Sequence, residues 1–232
     1  MNKNFRNVTS LLTCAFALSS AVKSHAAEYA VTIQTSPLAT SALSANGPFS
    51  LDIQLNYGGS GFGNSATINN FVFGGGSASG SPILSGIAAG SLSSTVTLTG
   101  NSTSQFNDFN QTFNPGTALS FDVNLSDNPT GVTPDGLAIA ILDNTGGQIV
   151  TTDPDEGLSL ATFEIGSFGR ITTATYAGID NTDPSNLVNL GDYTGVTVSV
   201  TSVPEPSALA PLACLLAPGL LVINSRLKRR TA

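Results

Sequence analysis

In Phe49-Ser-Leu-Asp-Ile-Gln-Leu-Asn-Tyr57 every second residue is apolar: Phe49, Leu51, Ile53, Leu55 and Tyr57 fall on one side, Ser50, Asp52, Gln54 and Asn56 on the other. Only an extended strand turns that spacing into one buried and one wetted face, because side chains alternate across a strand and recur every 3.6 residues on a helix. Leu119, Phe121, Val123 and Leu125 repeat the pattern against Ser120, Asp122 and Asn124. Leu137 to Leu142 is apolar on both faces, as expected of a central strand. Further strands are expected near Tyr29–Thr35, Thr67–Phe73, Ser94–Thr99, Leu160–Ile165 and Thr194–Thr201.

Between these runs lie Gly58-Gly59-Ser60-Gly61, Gly74-Gly75-Gly76, Asp127-Asn128-Pro129-Thr130-Gly131, Asn144-Thr145-Gly146-Gly147 and Asp153-Pro154-Asp155-Glu156-Gly157. All are turn chemistry, and no long stretch carries helical periodicity. About eight to ten short strands in one domain predict an all-β fold, an antiparallel β-sandwich of jelly-roll type.

Both ends of the chain stand outside that pattern. Lys3 and Arg6 precede a mostly apolar stretch from Val8 to Val22, followed by Ser24-His25-Ala26-Ala27 with small residues for a signal peptidase. Residues 1–26 therefore read as a cleaved signal peptide that hands the chain to the Sec translocon. A retained anchor fits less well: the stretch is short for a span and holds Thr9, Ser10, Thr13, Ser19 and Ser20. Cys14 sits deep within the apolar stretch after Thr13, which disfavours a lipoprotein cysteine.

At the other end Val203-Pro204-Glu205-Pro206 precedes an apolar run from Ala208 to Ile223 and the basic residues Arg226, Lys228, Arg229 and Arg230. As a helix at about 1.5 Å per residue the run covers roughly 24 Å of a hydrocarbon core about 30 Å thick. The expected transmembrane helix, about residues 207–225, spans only with help from flanking side chains that extend to the interface. The basic cluster holds the carboxyl terminus in the cytoplasm, and Pro211 and Pro218 weaken the helix, which suits a temporary anchor.

Pro-Glu-Pro, short span and Arg-rich tail together resemble the PEP-CTERM sorting signal of exopolysaccharide-making Gram-negative bacteria. The resemblance covers residues 203–232 and implies processing by the membrane protease or transpeptidase exosortase, with Val203, Pro204, Glu205 and Pro206 as the recognised segment. Two prolines restrict the backbone and remove two donors, leaving an extended segment that a protease cleft can accept. The layout of Phe49–Tyr57, Phe106-Asn-Asp-Phe109, Leu119–Val123, Leu137–Asp143 and Thr151-Thr-Asp-Pro154 is similar to a group of PEP-CTERM ectodomains without assigned activity, over roughly residues 28–170.

Removing both ends leaves one domain, residues 27–202, long enough to bury a core. Of eight Lys and Arg only Arg170 lies between residues 28 and 203, against fourteen of the fifteen acids, a net charge of −13. Nucleic-acid binding needs cations to neutralise phosphates, so that class is excluded. A direct grip on anionic lipid or phosphorylated glycan is disfavoured for the same reason.

The domain also has no His, Cys or Lys, since His25, Cys14 and Cys214 all belong to the end segments. Ser-His-Asp, Cys-His and Ser-Lys centres cannot be assembled, and zinc and copper lose their usual ligands. Calcium accepts oxygen ligands alone, which brings in the acidic turns. Asp143-Asn144, Asp127-Asn128 and Asp153, Asp155 and Glu156 are the candidates, yet none matches a full calcium loop, so they read as solvated turns. Gly61-Phe-Gly-Asn-Ser-Ala66 fits a dinucleotide fingerprint only formally, because a strand-like run follows it. The glycosylation tripeptides at Asn101, Asn110 and Asn124 carry little weight for a bacterial surface protein.

The expectation is a non-enzymatic surface or extracellular-matrix protein with a structural or adhesive role in exopolysaccharide or biofilm. It is exported through the inner membrane, held there transiently, and then released to the cell surface. The alternative is a carbohydrate-binding module, which needs Tyr57, Tyr176 and Tyr193 to converge on one face. Third comes a secreted glycoside hydrolase, whose chemistry needs only two carboxylates, but many scattered acids offer accidental pairs.

Overall fold

A computed structural model describes residues 26–40, 42–59, 63–126, 133–154, 158–166, 170–182 and 191–204. Contacts divide the chain into two units, and the unit that carries the fold spans His25–Val203. It is all-β and built of antiparallel sheets, with the alternating runs of the sequence as its principal strands.

In chain order the strands begin with β1 (Ala26–Gln34), β2 (Phe49–Asn56), β3 (Ser65–Val72), β4 (Ser77–Ala78) and β5 (Ile83–Ser85). Next come β6 (Ala88–Gly90), β7 (Val96–Thr99), β8 (Phe106–Asn114), β9 (Ala118–Ser126) and β10 (Asp135–Leu142). The last are β11 (Ala161–Ile165), β12 (Ile171–Thr175), β13 (Asp180–Asn181), β14 (Gly191–Asp192) and β15 (Val198–Val203). The first sheet runs β15-β1-β9-β3-β7-β6 and the second β12-β11-β10-β2-β8-β4, with β5 also on β8; β13 and β14 form a small ladder.

The inward rows of both sheets meet in one apolar cluster. Val31, Ile33, Ile68, Val123 and Leu125 come from the first sheet, and Leu51, Ile53, Leu55, Phe109, Ile139 and Phe163 from the second. Registry keeps the rows together: Ile53 lies opposite both Ile139 and Phe109. The rings of Tyr29 on β1 and Phe163 on β11 cross from sheet to sheet, edge to face, with centroids 5.3 Å apart. Burying each such side chain stabilises the fold by about 1.5–3 kcal/mol, and with no cysteine between residues 26 and 204 this packing and the ladders carry the stability.

Leu137–Leu142 is the central strand expected, flanked by β11 and β2. Four strands of the second sheet exceed the expectation, among them the short β4 and β5. β12 is short and polar, and β8 hides its inward row because Asn107 and Gln111 alternate there with Phe109 and Phe113. At the late end β15 starts at Val198 rather than Thr194, since a turn from Tyr193 to Val196, closed at 2.8 Å, precedes it.

β3 is interrupted by a register shift between Asn69 and Val72, where Asn70 adopts φ 57°. Asparagine tolerates that left-handed conformation, and its Nδ2 is anchored on Asp122 Oδ2 at 2.7 Å. Glu28 of β1 lies opposite Val203 of β15, and Ala26 opposite Ser126. The chain therefore enters and leaves the fold on neighbouring strands at one end.

Candidate functional site

The outward row of β2 is Ser50, Asp52 and Gln54, and that of β8 is Phe106, Asp108, Asn110 and Thr112. Pairing sets Asp52 opposite Asn110 and Gln54 opposite Asp108, so the two aspartates meet on the diagonal of the ladder. On the other flank of β2 the outward residues are Ala138 and Ala140, whose small side chains leave depth. The hairpin after β10 returns Gln148 opposite Leu142 and closes the side of a cleft of about 570 Å³. Pro48, Ile83 and Asn144 complete its walls.

Although it points away from the core, Asp52 is only 3% exposed. Its Oδ2 accepts from Gln54 Nε2 at 2.8 Å and from Gln148 Nε2 at 3.4 Å. Asp108 faces it across the ladder diagonal, and its buried Oδ1 has no hydrogen-bond partner among the described residues. Burial first, then the Asp52 hydrogen bond and charge, push the Asp108 carboxyl up to about 7. Asp108 therefore keeps its proton through the acidic range.

No family model, curated protein or solved structure matches this chain.

Of the acidic turns singled out in the sequence, Asp143 and Asn144 line this cleft, while Asp153 stands elsewhere. Asp143 Oδ1 accepts from Thr145 N–H at 2.8 Å, Thr145 Oγ1 at 2.7 Å and Gly147 N–H at 3.1 Å, which makes it the anchor of its own turn. Asn144 donates through Nδ2 to the Ala45 carbonyl. Asp153 Oδ2 accepts from Ser159 N–H at 3.2 Å and braces the loop ahead of β11.

Asp155, Glu156, Asp127 and Asn128 lie outside the described residues, and among the described residues no group of three or more His, Cys, Asp or Glu is placed to hold a metal ion. Gly61 and Phe62 of the formal dinucleotide match also lie outside, while Ala66 is in strand β3, so no helix follows it. Asn101 caps a turn, accepting from Thr103 and Ser104 N–H at 2.8 and 2.9 Å. Asn110 lines the cleft, and Asn124 is on the outward row of β9.

Tyr57, Tyr176 and Tyr193 do not converge. Tyr57 follows the end of β2 and Tyr176 the end of β12, which register places at opposite ends of the second sheet. Tyr193 is fully buried, and its hydroxyl accepts from Asn46 Nδ2 at 2.9 Å. The exposed aromatic of the cleft face is instead Phe106.

Val203 ends β15 and Pro204 follows it, both exposed. Glu205, Pro206, the apolar run and Arg226, Lys228, Arg229 and Arg230 lie outside the described residues. Among the described residues no helix is long and apolar enough to cross a membrane.

Reading the sequence missed the Asp52–Asp108 pair because its members are far apart in the chain and β8 went unrecognised. Phe106, Phe109 and Phe113 are spaced by three and four, a helical stripe, while the outward Asp, Asn and Thr that alternate between them carry the strand signal.

Proposed function

We propose that the chain is an exported, non-enzymatic protein of the cell surface or extracellular matrix, cut at residues 26–27 by signal peptidase and sorted by exosortase at Val203-Pro204-Glu205-Pro206. The observation that carries this reading is where the first and last described strands begin and end. β1 starts at Ala26, within the small residues of the signal-peptidase motif, and β15 ends at Val203, directly before Pro-Glu-Pro. Pro204 has no N–H to extend the edge strand, so recognition of the segment beyond it leaves the ladder of β1 and β15 intact.

A sandwich of jelly-roll type agrees with a chain that passes between the sheets at β1–β2, β2–β3, β3–β4, β5–β6, β7–β8, β8–β9 and β9–β10. Structural or adhesive work suits such a domain, which can be tethered transiently by the carboxyl-terminal helix and then released. Expression in strains with and without exosortase tests the reading. The expected result is a shorter mature protein at the surface only where exosortase is present; equal mass and location in both strains would sink it.

A further inference from the structure

We propose that the outer face of the second sheet, from the cleft at Asp52 and Asp108 along β8 to Phe106, binds a strand of neutral glycan. The proposal goes beyond sorting and does not rest on it.

At about 570 Å³ the cleft is within the about 300–1,000 Å³ of small-molecule sites. Its lining mixes donors and acceptors: carboxyls from Asp52, Asp108 and Asp143, amides from Gln54, Asn110, Asn144 and Gln148, and hydroxyls from Ser50 and Thr112. Sugar hydroxyls both donate and accept, so each can be matched there. Among the described residues no cation lines the cleft, and their one cation, Arg170, precedes β12 at the far edge of the sheet. An anionic polymer would meet carboxylates without compensation, which selects a neutral one. At mildly acidic pH the raised Asp108 carboxyl keeps its proton, which lowers the cost of covering it.

Phe106 adds an apolar platform. It is 48% exposed on the outward row of β8, two residues or about 7 Å from Asp108, where the C–H face of a sugar ring can lie on it. From Phe106 to Thr112 the row extends about 20 Å, long enough for several rings. A peptide strand is a poorer occupant, because it would need free backbone edges, while β2 and β8 are both paired on either side.

The test is isothermal titration of the full chain in detergent micelles at mildly acidic pH with hexaoses of glucose, mannose and galactose, and with oligogalacturonate as the anionic probe. Expected is binding of at least one neutral hexaose with Kd below about 1 mM, weakened about tenfold or more by Phe106→Ala and by Asn110→Ala, and unchanged by Thr172→Ala on the same sheet. Oligogalacturonate is expected to stay silent. Melting curves establish that each variant is folded, and either of the two cleft variants suffices to decide. Silence of all three neutral sugars, undiminished affinity in a folded cleft variant, or a stronger response to oligogalacturonate overturns the proposal.

Discussion

The Asp135 carboxylate holds Asn64 twice, Oδ2 accepting from its backbone N–H at 3.1 Å and from its Nδ2 at 3.0 Å. Oδ1 accepts from Gly58 N–H at 2.7 Å, so one fully buried side chain at the start of β10 closes the connection between β2 and β3. A buried donor left without a partner costs about 1–3 kcal/mol. Asp135→Ala orphans donors on both Gly58 and Asn64 and should lower stability by about 3 kcal/mol in urea unfolding. Asp135→Asn keeps one acceptor and should lose less. Equal stability of Asp135→Ala and wild type would show that the clasp does not hold the connection.

The Asp52–Asp108 pair makes stability depend on pH in an unusual direction. The Asp108 carboxyl is raised from 3.8 to about 7, so the folded state holds its proton more tightly than the unfolded state does. Its contribution is complete below about pH 4 and is lost as pH rises through about 7. With solvent screening allowed for, the loss is about 2 kcal/mol, roughly 4–8 °C in Tm for a domain of this size. Asp108→Asn abolishes the titration, so its Tm should gain by that amount relative to wild type between pH 4 and pH 8. Parallel Tm curves for the two proteins would refute the raised Asp108 carboxyl.

Tyr193 shows how a residue chosen for binding serves the core. Burial raises its hydroxyl pKa, the Asn46 hydrogen bond pulls it back and the Asp143 charge raises it further. Tyr193→Phe removes only the bond from Asn46 and should cost about 1 kcal/mol in a urea melt, whereas Tyr193→Ala also empties the space of the ring and should cost about 3–5 kcal/mol. Similar losses for the two would mean that the hydroxyl, not the ring, dominates.

Legibility in the sequence followed the chemistry of each strand's inner row. β2 and β9 bury Leu, Ile, Val and Phe without interruption, so period two was visible in them, and β10 was visible as a continuous apolar run from Leu137 to Leu142. β8 buries Asn107 and Gln111 among its phenylalanines, and a pattern of apolar residues alone cannot register a buried amide. The candidate site was lost with it: Asp52 sat on a wetted face with no visible neighbour, because cross-strand partners are set by pairing and not by spacing along the chain.

Those buried amides can be tested for their own work. Gln111, 4% exposed, accepts at Oε1 from Leu92 N–H at 2.8 Å and donates through Nε2 to the carbonyls of Gly80 at 3.0 Å and Ser79 at 3.3 Å. One side chain on β8 thereby ties down both ends of the segment holding β5 and β6, whose Ile83, Leu84 and Ile87 are exposed and contribute little burial. Gln111→Leu has similar bulk but leaves the Leu92 N–H and the Gly80 carbonyl unmatched, so a loss of about 2 kcal/mol is expected. The sharper readout is local. Hydrogen exchange at Leu92 should accelerate well beyond what the global loss of stability predicts, while exchange at Val123 of β9 tracks the global change. If Leu92 exchanges in step with Val123, the segment is held by its strand ladders and the amide clasp is dispensable.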